Sequence, residues 1–407
     1  MAYATTNPYT GEVVKEFPTA TAQEVEQAIT RAHDTFTQWS RKPVAERVEV
    51  LARAADILEA KKREYAEIIT LEMGKLIAEA EAEIDICVDM LRYYVANGEA
   101  QLAPRYLPAK GFGEHDVQLI NEPLGVLYAV EPWNFPYYQV IRIGAPQFTA
   151  GNTIVLKHAS NVPQSALKMV ELFRETGAPD GLLVNIFAGH NATETILSDP
   201  RVRGVALTGS EGAGAAVSAT ASKYLKKSTL ELGGADAFIV LSDAELDKAV
   251  DWAVFGRHWN AGQVCCSSKR IIVEDSLYDA FLAQYTQKVA ALTADIPLDS
   301  DTAHSEFFGP VSQIYRARDI DHAVEIANSS PFGLGGSVFS QDEAKAKDIA
   351  RRLDTGMVYI NQPTGVKADI PFGGTKRSGF GRELIDLGLH EFVNQKVVVV
   401  TDIDGSF

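Results

Sequence analysis

The sequence predicts an α/β protein: a doubly wound parallel sheet followed by a second βα series. Three observations lead there. The chain has 407 residues, too many for one compact core and enough for two or three domains at roughly 100–200 residues each. Hydrophobic residues make up 46% and charged residues 23%, an ordinary globular balance that argues against disorder. From about residue 116 short apolar runs alternate with helical stretches, as buried parallel strands do when helices cover both faces.

Before that point the chain reads as helices. Thr21 and Glu24 make a capping box ahead of Val25, Ala28, Ile29, Ala32 and Phe36, an apolar stripe at helical spacing. A second helix runs through Val48, Leu51, Ala55 and Leu58, and a third set from Tyr65 to about Tyr94 is broken at Gly74. The strand-like runs VQLI and GVLYAV follow, separated by Glu122 and Pro123. GNTIVLK, LVNIF, GVALTGS and STLEL come next, with helical stretches such as PQSALKMVELFRETG between them. AFIVL, RIIVE, GGSVFS and GMVYIN make the second series. The chain closes on KVVVV, a strand with little after it to cover it, and such a strand often pairs with another subunit. There is no internal repeat and no low-complexity linker.

Charge and cysteine content narrow the function classes. Lys and Arg number 38 against 54 Asp and Glu, a formal net charge of −16. An acidic surface repels phosphate backbones and anionic lipid, which argues against nucleic-acid or membrane partners. A small anionic substrate stays compatible, because a cation inside a pocket outweighs a surface field screened within about 8–10 Å. Three cysteines, Cys87, Cys265 and Cys266, cannot form a disulfide framework and fit a reducing compartment. No signal peptide is visible at the N-terminus, and no apolar run approaches the roughly 20 residues of a membrane span. A cytoplasmic protein without a metal site is expected.

Four clusters could carry chemistry: PWNFP at 132–136, LTGSEGAG at 207–214, LELGG at 230–234 and GQVCC at 262–266. Taken singly none decides anything. A Gly-rich turn after a strand is as often a plain turn as a phosphate site, and a buried cysteine is usually an inert small hydrophobe. In this order they resemble the aldehyde dehydrogenase superfamily over nearly the whole chain, and PWNFPYYQVIR with KHAS resembles its bacterial NAD(P)-dependent succinate-semialdehyde dehydrogenases.

The resemblance implies a role for each residue, and the chemistry needs those residue types. Oxidising an aldehyde through a tetrahedral adduct calls for a soft nucleophile that can later leave from a thioester, and the motif assigns this to Cys265. Cys266 is a bystander, or half of a vicinal disulfide that shuts the enzyme off under oxidation. The alkoxide needs donors already aimed at it: the amide of Asn134, whose other reading is a helix cap, and the backbone N–H of Cys265. Glu231, between Leu230 and Leu232, is the base that activates water for thioester hydrolysis. Its apolar setting should raise its pKa.

For the cofactor, the family pattern places Lys157 on the adenosine ribose. Ser160 stands three residues on, where a Glu would repel a 2′-phosphate, so NADP is favoured over NAD. Gly209, Ser210 and Gly214 belong to the pyrophosphate loop, Glu306 to the nicotinamide ribose with Phe308 beside the ring, and Trp133 and Leu232 to the same site. Arg142, two helical turns past Asn134 with Tyr138 between, holds the substrate's distal carboxylate or forms a structural ion pair. Lys367 is a second candidate for that carboxylate. The tail PFGGTKRSGFGRE at 371–383 is assigned nothing beyond shaping the entrance.

The implied architecture is a cofactor-binding domain at 1–106 and 124–232, a catalytic domain at 233–390, and an oligomerisation β extension at 107–123 and 391–407 that makes a homodimer or homotetramer. Around Asp301, Thr302 and Ala303 the chain is about fifty residues shorter than the family usually is, where further strands and helices of the catalytic layer belong. A stretch missing from the sequence is favoured over a true deletion, because the matched positions on both sides are intact. An intact mass of 44.3 kDa would make the deletion real. Three other readings remain: a broad dehydrogenase for uncharged aldehydes, a non-catalytic dinucleotide-binding relative, and a thiol redox sensor built on Cys265 and Cys266.

Overall fold

The computed structural model describes residues 3–292, 306 and 308–403. The capping box forms: Thr21 caps the helix Ala22–Trp39, its side chain bonded to the Glu24 N–H and the Glu24 carboxylate bonded back. The helices Val44–Ala60 and Lys62–Met73 follow, the second stopped by Gly74 at φ 73°. The helix Ile77–Leu102 then runs without a break.

The N-terminal segment departs from the helical expectation. The strands Tyr3–Thr6 and Val13–Phe17 form an antiparallel pair ahead of the first helix. Remote partners hold it, with the Tyr3 hydroxyl on the Ala188 carbonyl at 2.9 Å and the Thr5 hydroxyl on Glu72 at 2.5 Å. Long-range contacts of this kind leave no trace in local periodicity.

Two sheets carry the molecule. In the first, five parallel strands lie in the order Lys227–Glu231, Val202–Thr208, Val126–Glu131, Thr153–His158, Leu183–Asn185, with Gly379–Phe380 antiparallel at one edge. In the second, all five are parallel: Gln313–Ala317, Arg270–Glu274, Ala237–Val240, Gly336–Phe339, Tyr359–Ile360. Each parallel set starts in its middle, runs out to one edge, then returns and runs to the other. That is the doubly wound order, and it puts a crevice beyond the strand ends where the winding reverses. In the first sheet this point lies between the ends of Val126–Glu131 and Val202–Thr208.

In a third, antiparallel sheet Val117–Pro123 lies in the middle, paired with Val393–Val399 on one side and Arg105–Tyr106 on the other, which leaves Val393–Val399 at an edge. The central helix Pro136–Ala150 is buried along its whole length and has no side-chain cap of its own. Glu83 supplies one from the helix Ile77–Leu102, its Oε1 accepting from the N–H groups of Tyr137 at 2.8 Å and Tyr138 at 3.1 Å. One hydrophobic core runs from the N-terminal helices through this central helix to Val264 and Cys266.

Candidate active site

The loop carrying Cys265 is entered through three residues in the left-handed region: Asn260 (φ 50°), Ala261 (φ 55°) and Gly262 (φ 74°). Two of them carry a side chain, so surrounding bonds must hold the backbone there. They do: Glu79 accepts the Asn260 N–H at 2.9 Å, and the Asn260 amide donates to the Asn134 carbonyl at 3.0 Å.

Cys265 stands where two cavities of about 260 Å³ meet, and it lines both. The first has mostly apolar walls, among them Phe135, Tyr138, Trp259 and Phe372, with Arg142 at its side. The second lies at the switch point of the first sheet, bordered by Trp133, Asn134, Gly209, Ser210, Glu306 and Phe308. Trp133 and Phe308 meet edge to face at 5.8 Å. Ser210 caps the helix Glu211–Lys223, so that helix's N-terminus faces the cavity. Leu232 lines the cavity too, while Gly214 lets the helix close on it: a Cβ at Gly214 would lie 2.7 Å from the Leu232 side chain.

The two glycines of LELGG keep space for particular atoms. A Cβ on Gly233 would sit 2.2 Å from Glu306 Oε2, and one on Gly234 would sit 2.5 Å from the Cys265 carbonyl. Glu306 Oε1 accepts from the Gly234 N–H and from Lys269, each at 3.1 Å.

The electrostatics separate the titratable groups. A hydrogen bond from Cys266 holds the Cys265 thiol below its ordinary value. Burial works against this, while the charges of Lys269 and Arg142 add to it. Cys266 is pushed the other way, and the two thiols are not joined. Glu231 is 2% exposed and neither carboxylate oxygen has a hydrogen-bond partner among the described residues. Burial raises its pKa well above the ordinary carboxylate value, with Glu383 and Cys265 adding to the rise and Arg142 opposing it. Asn134 donates from its amide to the Gln263 carbonyl at 3.0 Å, and its Oδ1 has no partner among the described residues. Its helix-cap reading fails, since the cap position belongs to Phe135.

Arg142 borders the first cavity but is also tied inward. Its guanidinium pairs with Glu383 and donates to the Tyr138 hydroxyl at 3.2 Å and the Thr208 hydroxyl at 2.8 Å. This brings in Glu383, a tail residue to which the sequence assigned nothing, and Phe372, whose ring lies 5.1 Å from the guanidinium. Lys367 is not brought to the site: it is exposed and outside the cavity wall, where its neighbour Val366 takes part. Lys157 and Ser160 stand at the end of Thr153–His158, next to the switch-point strand but outside the second cavity. Ser160 caps no helix, the cap of Pro163–Glu175 being Val162. The seam at 301–303 lies outside the described residues.

The sequence reading also missed Lys269. The signal was there: a Lys-Arg pair heading the apolar run RIIVE places two cations at the mouth of a buried strand, and both are buried, at 1% and 3% exposure. Among the described residues no cluster of His, Cys, Asp and Glu could hold a metal, and no helix is long and apolar enough to cross a membrane.

The pattern of the aldehyde dehydrogenase family matches residues 1–305 and 291–398. The chain belongs to that family. Among aldehyde dehydrogenases, it is 42% identical to the NADP(+) succinate-semialdehyde dehydrogenase of Deinococcus radiodurans, over 97% of this chain and 94% of the relative. It is 41% identical to the corresponding enzyme of Mycobacterium ulcerans, over 98% and 100%. The succinic semialdehyde dehydrogenase of Streptococcus pyogenes, solved in complex with NADP+, superposes at TM-score 0.94 with 37% identity, covering 98% of this chain and all of that one. The alignment to the Deinococcus enzyme spans 452 positions, more than the 407 residues here, so it opens gaps in this chain. The family match breaks in two across 291–305, which brackets the seam.

Proposed function

We propose that the chain oxidises succinate semialdehyde, or a close carboxylated aldehyde, to the acid with reduction of NADP, and less readily of NAD. The observation that carries this is the position of Cys265, the cysteine shared by a substrate-sized apolar cavity and a second cavity at a dinucleotide switch point. The relatives named for this reaction with NADP support the choice of substrate and cofactor.

The second cavity fits a dinucleotide: a helix N-terminus for phosphate, a carboxylate given room by a glycine, and two aromatic walls. There Glu306 would hold the nicotinamide ribose, with Trp133, Leu232, Phe308 and the Gly209–Ser210 turn around it. Lys157 and Ser160 would meet the adenosine ribose and its 2′-phosphate. The cofactor, when bound, supplies the hydride acceptor.

The remaining steps belong to the chain. The Cys265 thiolate attacks the aldehyde carbon. The Cys265 N–H and the Asn134 amide hold the alkoxide. Once hydride has left, the carbon is a thioester on Cys265. Glu231 takes a proton from water, which attacks that carbon and frees the acid and the thiolate. Arg142, with N–H groups beyond those bound to Tyr138, Thr208 and Glu383, takes the distal carboxylate beside Tyr138.

A second reading has its own support. The walls of the substrate cavity are largely apolar and Arg142 is already paired, as would suit a broad dehydrogenase for uncharged aldehydes. A steady-state aldehyde panel with both cofactors separates the two. The proposal expects kcat/KM for succinate semialdehyde to exceed that for hexanal by about tenfold or more, and Arg142→Leu to remove that margin. A margin unchanged in Arg142→Leu, or hexanal preferred by the native enzyme, would defeat the carboxylate reading. We place the enzyme in the cytoplasm as a homodimer or homotetramer. Free cysteines support the first, and the uncovered edge strand Val393–Val399 the second.

A further inference from the structure

Lys269 sits four positions past the nucleophile, at the entrance to the strand Arg270–Glu274. A buried ammonium is costly unless its protons find acceptors. Here three protons meet three oxygens: the Val264 carbonyl at 2.8 Å, the Cys265 carbonyl at 2.6 Å and Glu306 Oε1 at 3.1 Å. The Phe308 ring lies 5.9 Å away.

The Val264 carbonyl and the Cys265 N–H belong to one peptide unit. That unit is planar and trans, so its N–H points opposite to its C=O. A cation fixed on the oxygen therefore fixes the direction of the N–H at the other end, and polarises it into a stronger donor. The Cys265 N–H has no acceptor among the described residues, which leaves it free for an incoming oxyanion.

We propose that Lys269 is a positioning residue for the reaction: through the Val264 and Cys265 carbonyls it aims the Cys265 N–H at the alkoxide, and through Glu306 it ties that aim to the carboxylate of the cofactor cavity. The inference rests on the function proposed above, in which Cys265 is the nucleophile and its N–H an oxyanion donor. Lys269 acts through other groups and touches no reacting atom. The charges around the thiol agree with its placement. Beside the hydrogen bond from Cys266, Lys269 and Arg142 favour the thiolate and Glu306 opposes it, while Glu231 is the further carboxylate that faces the thiol.

The test compares Lys269→Gln and Lys269→Arg with the native enzyme, using steady-state kinetics with NADP and succinate semialdehyde and the pH profile of iodoacetamide alkylation at Cys265. Lys269→Gln is expected to lower kcat about tenfold or more with little change in the aldehyde KM, because an oxyanion donor acts on the transition state. Its alkylation midpoint should rise, since a cation has gone. Lys269→Arg should restore the midpoint and part of kcat, which a merely structural lysine would not explain. A folded Lys269→Gln enzyme with native kcat and native midpoint overturns the proposal. Should that variant not fold, Glu306→Gln at a part-exposed side chain carries the test: removing the opposing charge should lower the midpoint, and an unchanged midpoint overturns the link. Cys265→Ala separates the two levels. If it still reduces NADP, the proposed function falls. If it is inactive while Lys269→Gln is native-like, only the role of Lys269 falls.

Discussion

Cys265 is held toward its thiolate by a neighbouring thiol and two nearby cations. Its alkylation midpoint should therefore lie below the roughly 8.5 of a free cysteine thiol, and iodoacetamide titration checks this. A midpoint at or above that value would contradict the site. Glu131 makes a second test. It is buried, its Oε2 lacks a partner among the described residues, and burial pushes its pKa well above the ordinary 4.5. The folded chain thus keeps a proton that the unfolded chain releases above pH 4.5, and stability drains away as pH rises from there toward the folded value. Glu131→Gln should flatten that slope, read by urea unfolding at several pH values. Ser160→Glu should raise the KM for NADP well above that for NAD through like-charge repulsion of the 2′-phosphate.

Cys265, Glu231 and Asn134, whose roles are our proposal, could be singled out because each sits in a short motif that resembles the family's. Glu383 and Lys269 were not. Each acts by reaching a residue brought close only by the fold, Arg142 in one case and the Val264 carbonyl in the other.

Among the elements, the capping box at Thr21 and the stop at Gly74 could be read because a cap is a local bond. The cap of Pro136–Ala150 could not, because its acceptor, Glu83, comes from another helix. That carboxylate also pairs with Lys75 at 2.5 Å, both side chains fully buried, and Lys75 in turn lies 3.6 Å over the Phe135 ring. Removing one partner of such a pair leaves an uncompensated buried charge. Glu83→Ala should therefore lose about 3–5 kcal/mol in denaturant unfolding. A loss below about 1 kcal/mol would show that the central helix does not depend on it. The N-terminal strand pair escaped the sequence for a related reason, since its anchors lie far along the chain at Glu72 and Ala188.

At the scale of the molecule, alternating βα patterning pointed to a doubly wound parallel sheet, while the strand order, and with it the switch point where the second cavity lies, depends on long-range pairing that the pattern does not carry. The division into a cofactor-binding unit, a catalytic unit and a β extension remains our proposal; each centres on one of the three larger sheets, although Arg105–Tyr106 joins the third sheet and Gly379–Phe380 the first. The edge strand exposes Val397 and Val399, as does Val400 just beyond it. Joint replacement Val397→Lys and Val399→Lys should shift the sedimenting species to the monomer with an unchanged circular dichroism spectrum. An unaltered oligomer would place the interface elsewhere.

The account turns on a thioester at Cys265 that Glu231 allows water to reach. Rapid mixing of Glu231→Gln with NADP and succinate semialdehyde tests this directly. It should release one reduced nicotinamide per Cys265 in a burst, then stall with the acyl group retained on the protein by mass. Steady turnover at the native rate, or a burst with no acyl group on Cys265, would contradict it.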